Sequence, residues 1–190
     1  MLVFHTGFEK IPVPDLRRGR ANADFGQGFY LSDDPAFAER WATEKKGETT
    51  FVNRYELNTD NLRIKRFERD GDWFRYIFSN RRSMPDTLSG FDVIIGPIAN
   101  DTLFNTFGIL TSGVLDDAVA MQLLQLGPVY TQVVLKTERA KEALRFLGAK
   151  ALDHAVLEAN KTRLAAEEAA FQVLFSETMQ RLLGDTEDRI

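Results

Sequence analysis

The sequence predicts an α+β fold. Three observations carry that expectation. Short runs rich in β-branched and aromatic residues recur along the chain, amphipathic segments lie among them without regular β-α alternation, and the stretch from about Ala151 to Leu183 has neither proline nor glycine. Strands with intermingled helices, closed by one long helix, fit α+β better than a doubly wound sheet.

The elements follow in order. Leu2 to His5 is rich in strand formers, and Pro12-Val13-Pro14 stops any continuation. Residues 8 to 27 read as a loop, and a loop of that length in a compact domain is more often a lid or binding segment than an idle connection. Gly28 to Ser32 is a short strand. Ser32-Asp33-Asp34-Pro35 then supplies a cap and an early proline for a helix carrying Phe37, Ala38 and Trp41 on one face, running to about Lys46 before Gly47.

Thr50 to Leu57 and Leu62 to Phe67 alternate apolar with polar residues around Asn58-Thr59-Asp60-Asn61, which predicts a hairpin. Asp72 to Ser79 is a compact aromatic helix. Phe91 to Ile95 is a continuous apolar strand closed by Gly96-Pro97, a pattern that predicts burial on both faces. Two helices are expected near 102–110 and 116–126, the second broken by Gly127-Pro128, with Asn100-Asp101 as a cap. Tyr130 to Lys136 reads as a strand and Glu138 to Phe146 as a helix. In the tail, Leu157, Leu164, Phe171, Leu174 and Leu182 are spaced for an amphipathic helix that packs on the domain, on a second copy in a homodimer, or on a partner.

Composition bounds the function. At 190 residues, 44% hydrophobic and 27% charged, the chain can bury a core without staples. The absence of cysteine excludes disulfides, thiolate-metal sites and cysteine nucleophiles. A net charge of −4 gives no global push towards nucleic acid. Arg17, Arg18 and Arg20 form a local basic cluster, either a solvated loop or a phosphate contact. No apolar run approaches the roughly 20 residues that span a bilayer, and the amino terminus lacks a secretory pattern, so no membrane partner and a cytoplasmic location are expected.

Chemistry concentrates near the amino terminus. His5-Thr6-Gly7 ends the first strand, and Asp24-Phe25-Gly26-Gln27-Gly28-Phe29-Tyr30-Leu31-Ser32 follows, with Ala38 and Trp41 behind it. A strand-end histidine, a Gly-aromatic-Tyr strand and a second aromatic form a narrow slot suited to a flat cationic ring on a ribose, as in the nicotinamide of NAD. Gly26 and Gly28 precede a strand instead of opening a helix, so they make no dinucleotide fingerprint; glycine here lets a ligand approach the backbone. His154, in the helical tail, has no companion ligands in sequence and reads as a surface or packing histidine, and no metal is expected.

These residues resemble the ADP-ribosyltransferase fold of the histidine-tyrosine type, the class of the poly-ADP-ribose polymerases and diphtheria toxin. His5-Thr6-Gly7 resembles its first-strand motif, Gly28 to Ser32 its Gly-aliphatic-Tyr segment, and Trp41 its second aromatic. The match looks closer to a little-characterised bacterial subfamily catalogued as a domain of unknown function, on Asp24-Phe25-Gly26-x-Gly28-Phe29-Tyr30, Ala38-x-x-Trp41, Val52-Asn53-x-Tyr55, Asn80-Arg81, Asp92-x-x-Ile95-Gly96-Pro97-x-Ala99-Asn100-Asp101 and Gln132-x-x-x-x-Thr137-Glu138. The resemblance covers about residues 2 to 147. It implies a split β-sheet core with peripheral helices, a 1–150 NAD-binding domain, and a helical extension over 151–190.

The resemblance also implies roles. NAD would be the co-substrate, with His5 on a ribose hydroxyl, Gly7 backbone groups on the nicotinamide amide, and Tyr30 stacked with Trp41 on its ring; Thr6, Gly28 and Phe29 complete the binding set. The class carries a glutamate where this chain has Gln132. A glutamine can orient a ribose hydroxyl through its amide oxygen but is a poor general base, which argues against chain elongation. The expected activity is mono-ADP-ribosyl transfer to a protein or nucleic acid acceptor, toxin-like and paired with a small neutralising protein. The alternatives are a non-catalytic NAD or ADP-ribose binding module whose tail engages a partner, and an NAD glycohydrolase.

Overall fold

The computed structural model describes residues 1–99, 122–123 and 125–187. The chain divides into two compact units, Met1–Ile98 with Tyr130–Lys161, and Ala99–Val129 with Thr162–Ile190. The expected α+β class is what forms. The first unit holds a seven-stranded mixed sheet of β1 (Leu2–Gly7), β2 (Phe29–Ser32), β3 (Phe51–Leu57), β4 (Ile64–Arg66), β5 (Val93–Pro97), β6 (Thr131–Leu135) and β7 (Leu144–Ala151). Their order is β4-β5-β6-β2-β1-β3-β7, and only β4 and β5 pair in parallel.

Strand alternation sorts the core into two faces. Val3, Phe29, Leu31, Tyr55, Leu57, Val133 and Leu135 share one buried cluster with Leu16 from the loop before β2 and Ala140 from a short helix, α3 (Glu138–Glu142). On the other face Phe4 and Val52 pack with Ala38 and Ala42, and with Leu152 and Leu157. Ala38 lies on α1 (Pro35–Arg40), which starts where the Asp34 side chain accepts a hydrogen bond from the Ala36 amide. All five residues of β5 are buried, as the continuous apolar run predicts. The aromatic helix forms as α2 (Gly71–Arg81), and Trp73 donates its indole N–H to the Pro97 carbonyl at 2.8 Å.

Three expectations need correction. The hairpin does not form: β1 and β7 take the two edges of β3, and β4 pairs with β5 at the far end of the sheet. Glu138 to Phe146 is not one helix, because α3 ends at Glu142 and β7 begins at Leu144. Leu144 and Phe146 alternate onto the core cluster, and Gly148 takes φ +136° beside a register shift opposite Arg54 and Tyr55, a bulge that glycine tolerates. The helix after β2 stops at Arg40, with Trp41 as its cap, because Ala42 turns inward and Thr50 donates its hydroxyl to the Thr43 carbonyl at 2.7 Å, folding the chain back.

The helical tail is α4 (His154–Glu187). Its beginning belongs to the first unit, where Leu157 is buried and Asn160 donates to the Glu39 carbonyl at 2.7 Å. In the second unit, Phe171 is buried and packs against Gly127, whose φ of +79° and lack of a side chain allow the approach. The helices expected near 102–110 and 116–126, and the Asn100-Asp101 cap, lie outside the described residues apart from a helical piece at Gln122 and Leu123. Among the described residues no helix is long and apolar enough to cross a membrane.

Candidate functional site

β1 pairs with β3 along its whole length, from Leu2–Glu56 to Gly7–Phe51, but registers with β2 only at Phe4–Ser32. Beyond that pair the strands part. The Tyr30 carbonyl accepts instead from the His5 ring, with Nδ1 at 2.8 Å. Because a carbonyl can only accept, Nδ1 carries the proton and Nε2 keeps its lone pair. Burial lowers the His5 pKa from its ordinary value, and the bond to the Tyr30 carbonyl offsets this in part. The imidazole is therefore neutral at pH 7, with its ring 4.6 Å from that of Phe29.

A cleft of about 540 Å³ opens where the strands part, lined by His5, Gly7, Gly28, Phe29 and Tyr30 and by the loop after β1. That size is ordinary for a small-molecule site. At Gly7 a Cβ would sit 3.3 Å from His5 Nε2, so any side chain there would crowd the one free acceptor of the ring. The loop is held by two side chains of β3. Asn53 accepts from the Ile11 amide at 2.9 Å and donates to the Glu9 carbonyl at 3.0 Å, and the Tyr55 hydroxyl donates to the Ile11 carbonyl at 2.7 Å. Three cations stand among the lining residues: Lys10 lies over the Phe51 ring at 5.5 Å, Arg18 makes a bidentate bond to Glu9 at 2.7 and 3.0 Å, and Lys45 pairs with Glu48 at 3.0 Å. Exposed pairs of this kind are weak and exchangeable.

The remaining predicted residues take other places. Thr6 donates its hydroxyl to the Ala38 carbonyl, tying β1 to α1. Gly28 is required by β6 more than by a ligand, since a Cβ would come within 2.5 Å of the Leu135 carbonyl oxygen. The Tyr30 hydroxyl donates to the Gly26 carbonyl at 2.6 Å and accepts from the Phe25 amide at 3.0 Å, and burial pushes its pKa up. Trp41 is 52% exposed and leans on Phe37 at 5.7 Å, away from the cleft lining. Gln132 is buried, with Nε2 donating to Asp24 Oδ2 at 3.2 Å and to the Pro97 carbonyl at 3.4 Å. The structure thus gathers His5, Gly7, Gly28, Phe29 and Tyr30 on one cleft and leaves Thr6, Trp41 and Gln132 beside it.

Asp24, Asn53, Tyr55, Asn80 and Arg81 stand within the sequence motifs, and their partners emerge only in the fold. Asp24 is a buried node: Arg81 Nε donates to its Oδ1 at 2.6 Å, Asn80 donates to its backbone carbonyl at 3.1 Å, and Gln132 bonds its other oxygen. The i, i+2 spacing of Asn53 and Tyr55 on a strand was the available signal for a shared face. His154 does acquire neighbours. Its Nδ1 lies 3.0 Å from Glu44 Oε1, and with Glu158 the three offer ligand atoms within 4.8 Å of one another.

Residues 1–146 match the model of a family described as Protein of unknown function (DUF3990). No curated protein matches the chain.

Proposed function

The chain belongs to that family of unknown function, and from that premise we propose that it is a NAD-dependent mono-ADP-ribosyltransferase acting on a protein or nucleic acid acceptor. The parting of β1 and β2 carries the proposal. There a neutral imidazole acceptor, the Gly7 backbone and the Phe29–Tyr30 strand border one cleft of a size for a dinucleotide. His5 Nε2 would accept from a ribose hydroxyl, the Gly7 backbone would meet the carboxamide, and Arg18 or Lys45 would exchange its carboxylate for the pyrophosphate.

The reaction breaks the bond between nicotinamide nitrogen and ribose C1′, the nitrogen keeping the electron pair. The acceptor heteroatom bonds C1′ and its proton passes to solvent. Positive charge on the ribose in the transition state is what the site must tolerate, so orientation and electrostatics would supply most of the rate. Incubation of the chain with labelled NAD and cell lysate should label a macromolecule, and both Tyr30→Ala and His5→Ala should abolish it. Urea unfolding of each variant guards against a folding loss, because the Tyr30 hydroxyl anchors the turn at Phe25 and Gly26. Folded wild type that labels nothing in any lysate sinks the transferase.

A second reading, a non-catalytic NAD or ADP-ribose binding module, is favoured by Gln132, a buried amide that does not line the cleft. Saturable NAD binding without release of nicotinamide would select it. Release of free ADP-ribose without an acceptor would select a glycohydrolase. A toxin-like role with a small neutralising protein belongs to the same proposal; growth arrest on expression, lost in His5→Ala, supports it, and harmless expression at high level contradicts it.

A further inference from the structure

A second hollow, of about 280 Å³, lies against the Gly26–Gln27 turn and shares no lining residue with the cleft. Its walls include Gly26, Gln27, Asn80, Asp86, Ser89 and Lys136. Asn80 is 3% exposed, and its Nδ2 donates to the Asp24 carbonyl at 3.1 Å. A carbonyl can only accept, so the amide is fixed with Oδ1 as its other end, and no described residue donates to that oxygen. A buried oxygen left without a donor costs stability, and Asn80 borders the hollow from which a ligand can supply one. Lys136 stands beside it. A Cβ at Gly26 would lie 2.9 Å from Lys136 Nζ and 3.2 Å from Asn80 Oδ1, so the glycine lets an ammonium and an amide oxygen meet over one Cα. The lysine side chain is 6% exposed, and Nζ donates to the Phe25 carbonyl and to Asp86 Oδ2, the latter at 3.1 Å, which leaves a third N–H. We infer that this hollow binds a sugar, which offers Asn80 and Lys136 two neighbouring hydroxyls.

Charge selects the ligand first. Asp86 answers the Lys136 ammonium, so an anion or a cation would have to displace one member of that pair, whereas a neutral ligand need not. Hydrogen bonding selects next. The open acceptors are Asn80 Oδ1, the lysine-facing oxygen of Asp86, and Gln27 Oε1, whose amide is oriented by Nε2 donating to the Arg17 and Gly19 carbonyls at 2.9 and 3.2 Å. Against them stands one N–H of Lys136, and the Ser89 hydroxyl can act either way. The ligand is therefore rich in donors and carries an acceptor next to one of them. Vicinal hydroxyls meet both demands, because each donates and accepts. A flat heteroaromatic ring would want a face to stack on, and no aromatic side chain is among the described residues that line the hollow. Its volume lies at the lower edge of small-molecule sites, room for one sugar ring and not for a dinucleotide. Asp86 is held in place by the Tyr76 hydroxyl and the Leu88 amide, both 2.8 Å from Oδ1, so the site is organised before a ligand arrives.

The experiment titrates the full isotope-labelled chain with methyl ribofuranoside and with methyl glucopyranoside, each beside a deoxy analogue that has no vicinal pair of hydroxyls, and follows backbone amide shifts by NMR. Glycine and nicotinamide serve as probes of a zwitterion and of a flat amide. At least one glycoside should shift the Gly26, Gln27 and Ser89 amides saturably, and its deoxy analogue should bind about tenfold more weakly. Asn80→Ala, with its urea midpoint as a check of folding, should weaken the same glycoside about tenfold. Should Asn80→Ala fail to fold, Ser89→Val decides. Ser89 is exposed, and valine there removes a hydroxyl and narrows the hollow, so a loss of affinity supports the site and equal binding overturns it. The inference is also overturned if neither glycoside shifts these amides, if the shifts fall at His5 and Gly7 instead, if the deoxy analogue binds equally, or if only glycine or nicotinamide binds. Because the two pockets share no lining residue, loss of NAD binding would leave this inference standing, and its failure would leave the proposed function untouched.

Discussion

His5 shows how much one residue's surroundings decide. Its pKa lies below the value it has in the unfolded chain, so the unfolded chain binds the proton more readily in that interval. The sign follows: His5 costs no stability above the unfolded value near 6.5, and stability is lost as pH falls from there through the lowered folded value. The urea midpoint of wild type should therefore fall more between about pH 7.5 and about pH 5.5 than that of His5→Asn. Equal falls would remove the burial argument. At Tyr30, replacement by Phe strands the Phe25 amide and the Gly26 carbonyl and should cost about 1–3 kcal/mol in urea unfolding; a variant as stable as wild type would deny the hydroxyl its anchoring role. His5 and Tyr30 were visible in sequence as a strand-end histidine and a Gly-aromatic-Tyr run. The bond between them was not, because it joins a ring to a backbone carbonyl 25 positions away.

Elements were legible where a run is buried on both faces and obscure where pairing is a choice among distant edges. β5 announces itself by continuous apolar residues, and β6 by the shorter run Val133-Val134-Leu135. β3 and β4 carry the alternation of a hairpin, and nothing local says that the edges of β3 belong to β1 and β7. β7 was missed because Glu138 to Phe146 keeps a helical period until the turn after Glu142. The long loop before β2 has the length of a lid or binding segment, and Asn53 and Tyr55 anchor it. Asn53→Ala leaves the Ile11 amide and the Glu9 carbonyl without this partner and should cost about 1–3 kcal/mol. It should also expose the loop to limited proteolysis between residues 9 and 20, and resistance equal to wild type would contradict the anchor. Leu157→Ala tests whether the start of α4 belongs to the first unit, as its packing with Ala38 and Val52 requires, with an expected loss of about 2–5 kcal/mol; a loss within error of zero would place it outside.

At the scale of the molecule, one sheet with β2 at its centre puts the site between strands that are neighbours without being paired throughout. β2 has β6 on one side over four residue pairs, Phe29–Leu135 to Ser32–Gln132, and β1 on the other at a single pair. His5, Gly7 and the residues at 28–30 reach the cleft because those segments border the gap, while Thr6 alternates away to the Ala38 carbonyl. Gln132 and Trp41 were assigned by order along the chain, and order does not say which side of a strand or helix faces the gap. The most direct test of the central claim, that this gap is a dinucleotide site, is calorimetric titration of the full chain with NAD beside Gly7→Val. Wild type should bind NAD saturably near one per chain, and the valine, crowding His5 Nε2 from 3.3 Å, should abolish binding without lowering the urea midpoint of the fold. No binding by wild type, or equal binding by Gly7→Val, would contradict it.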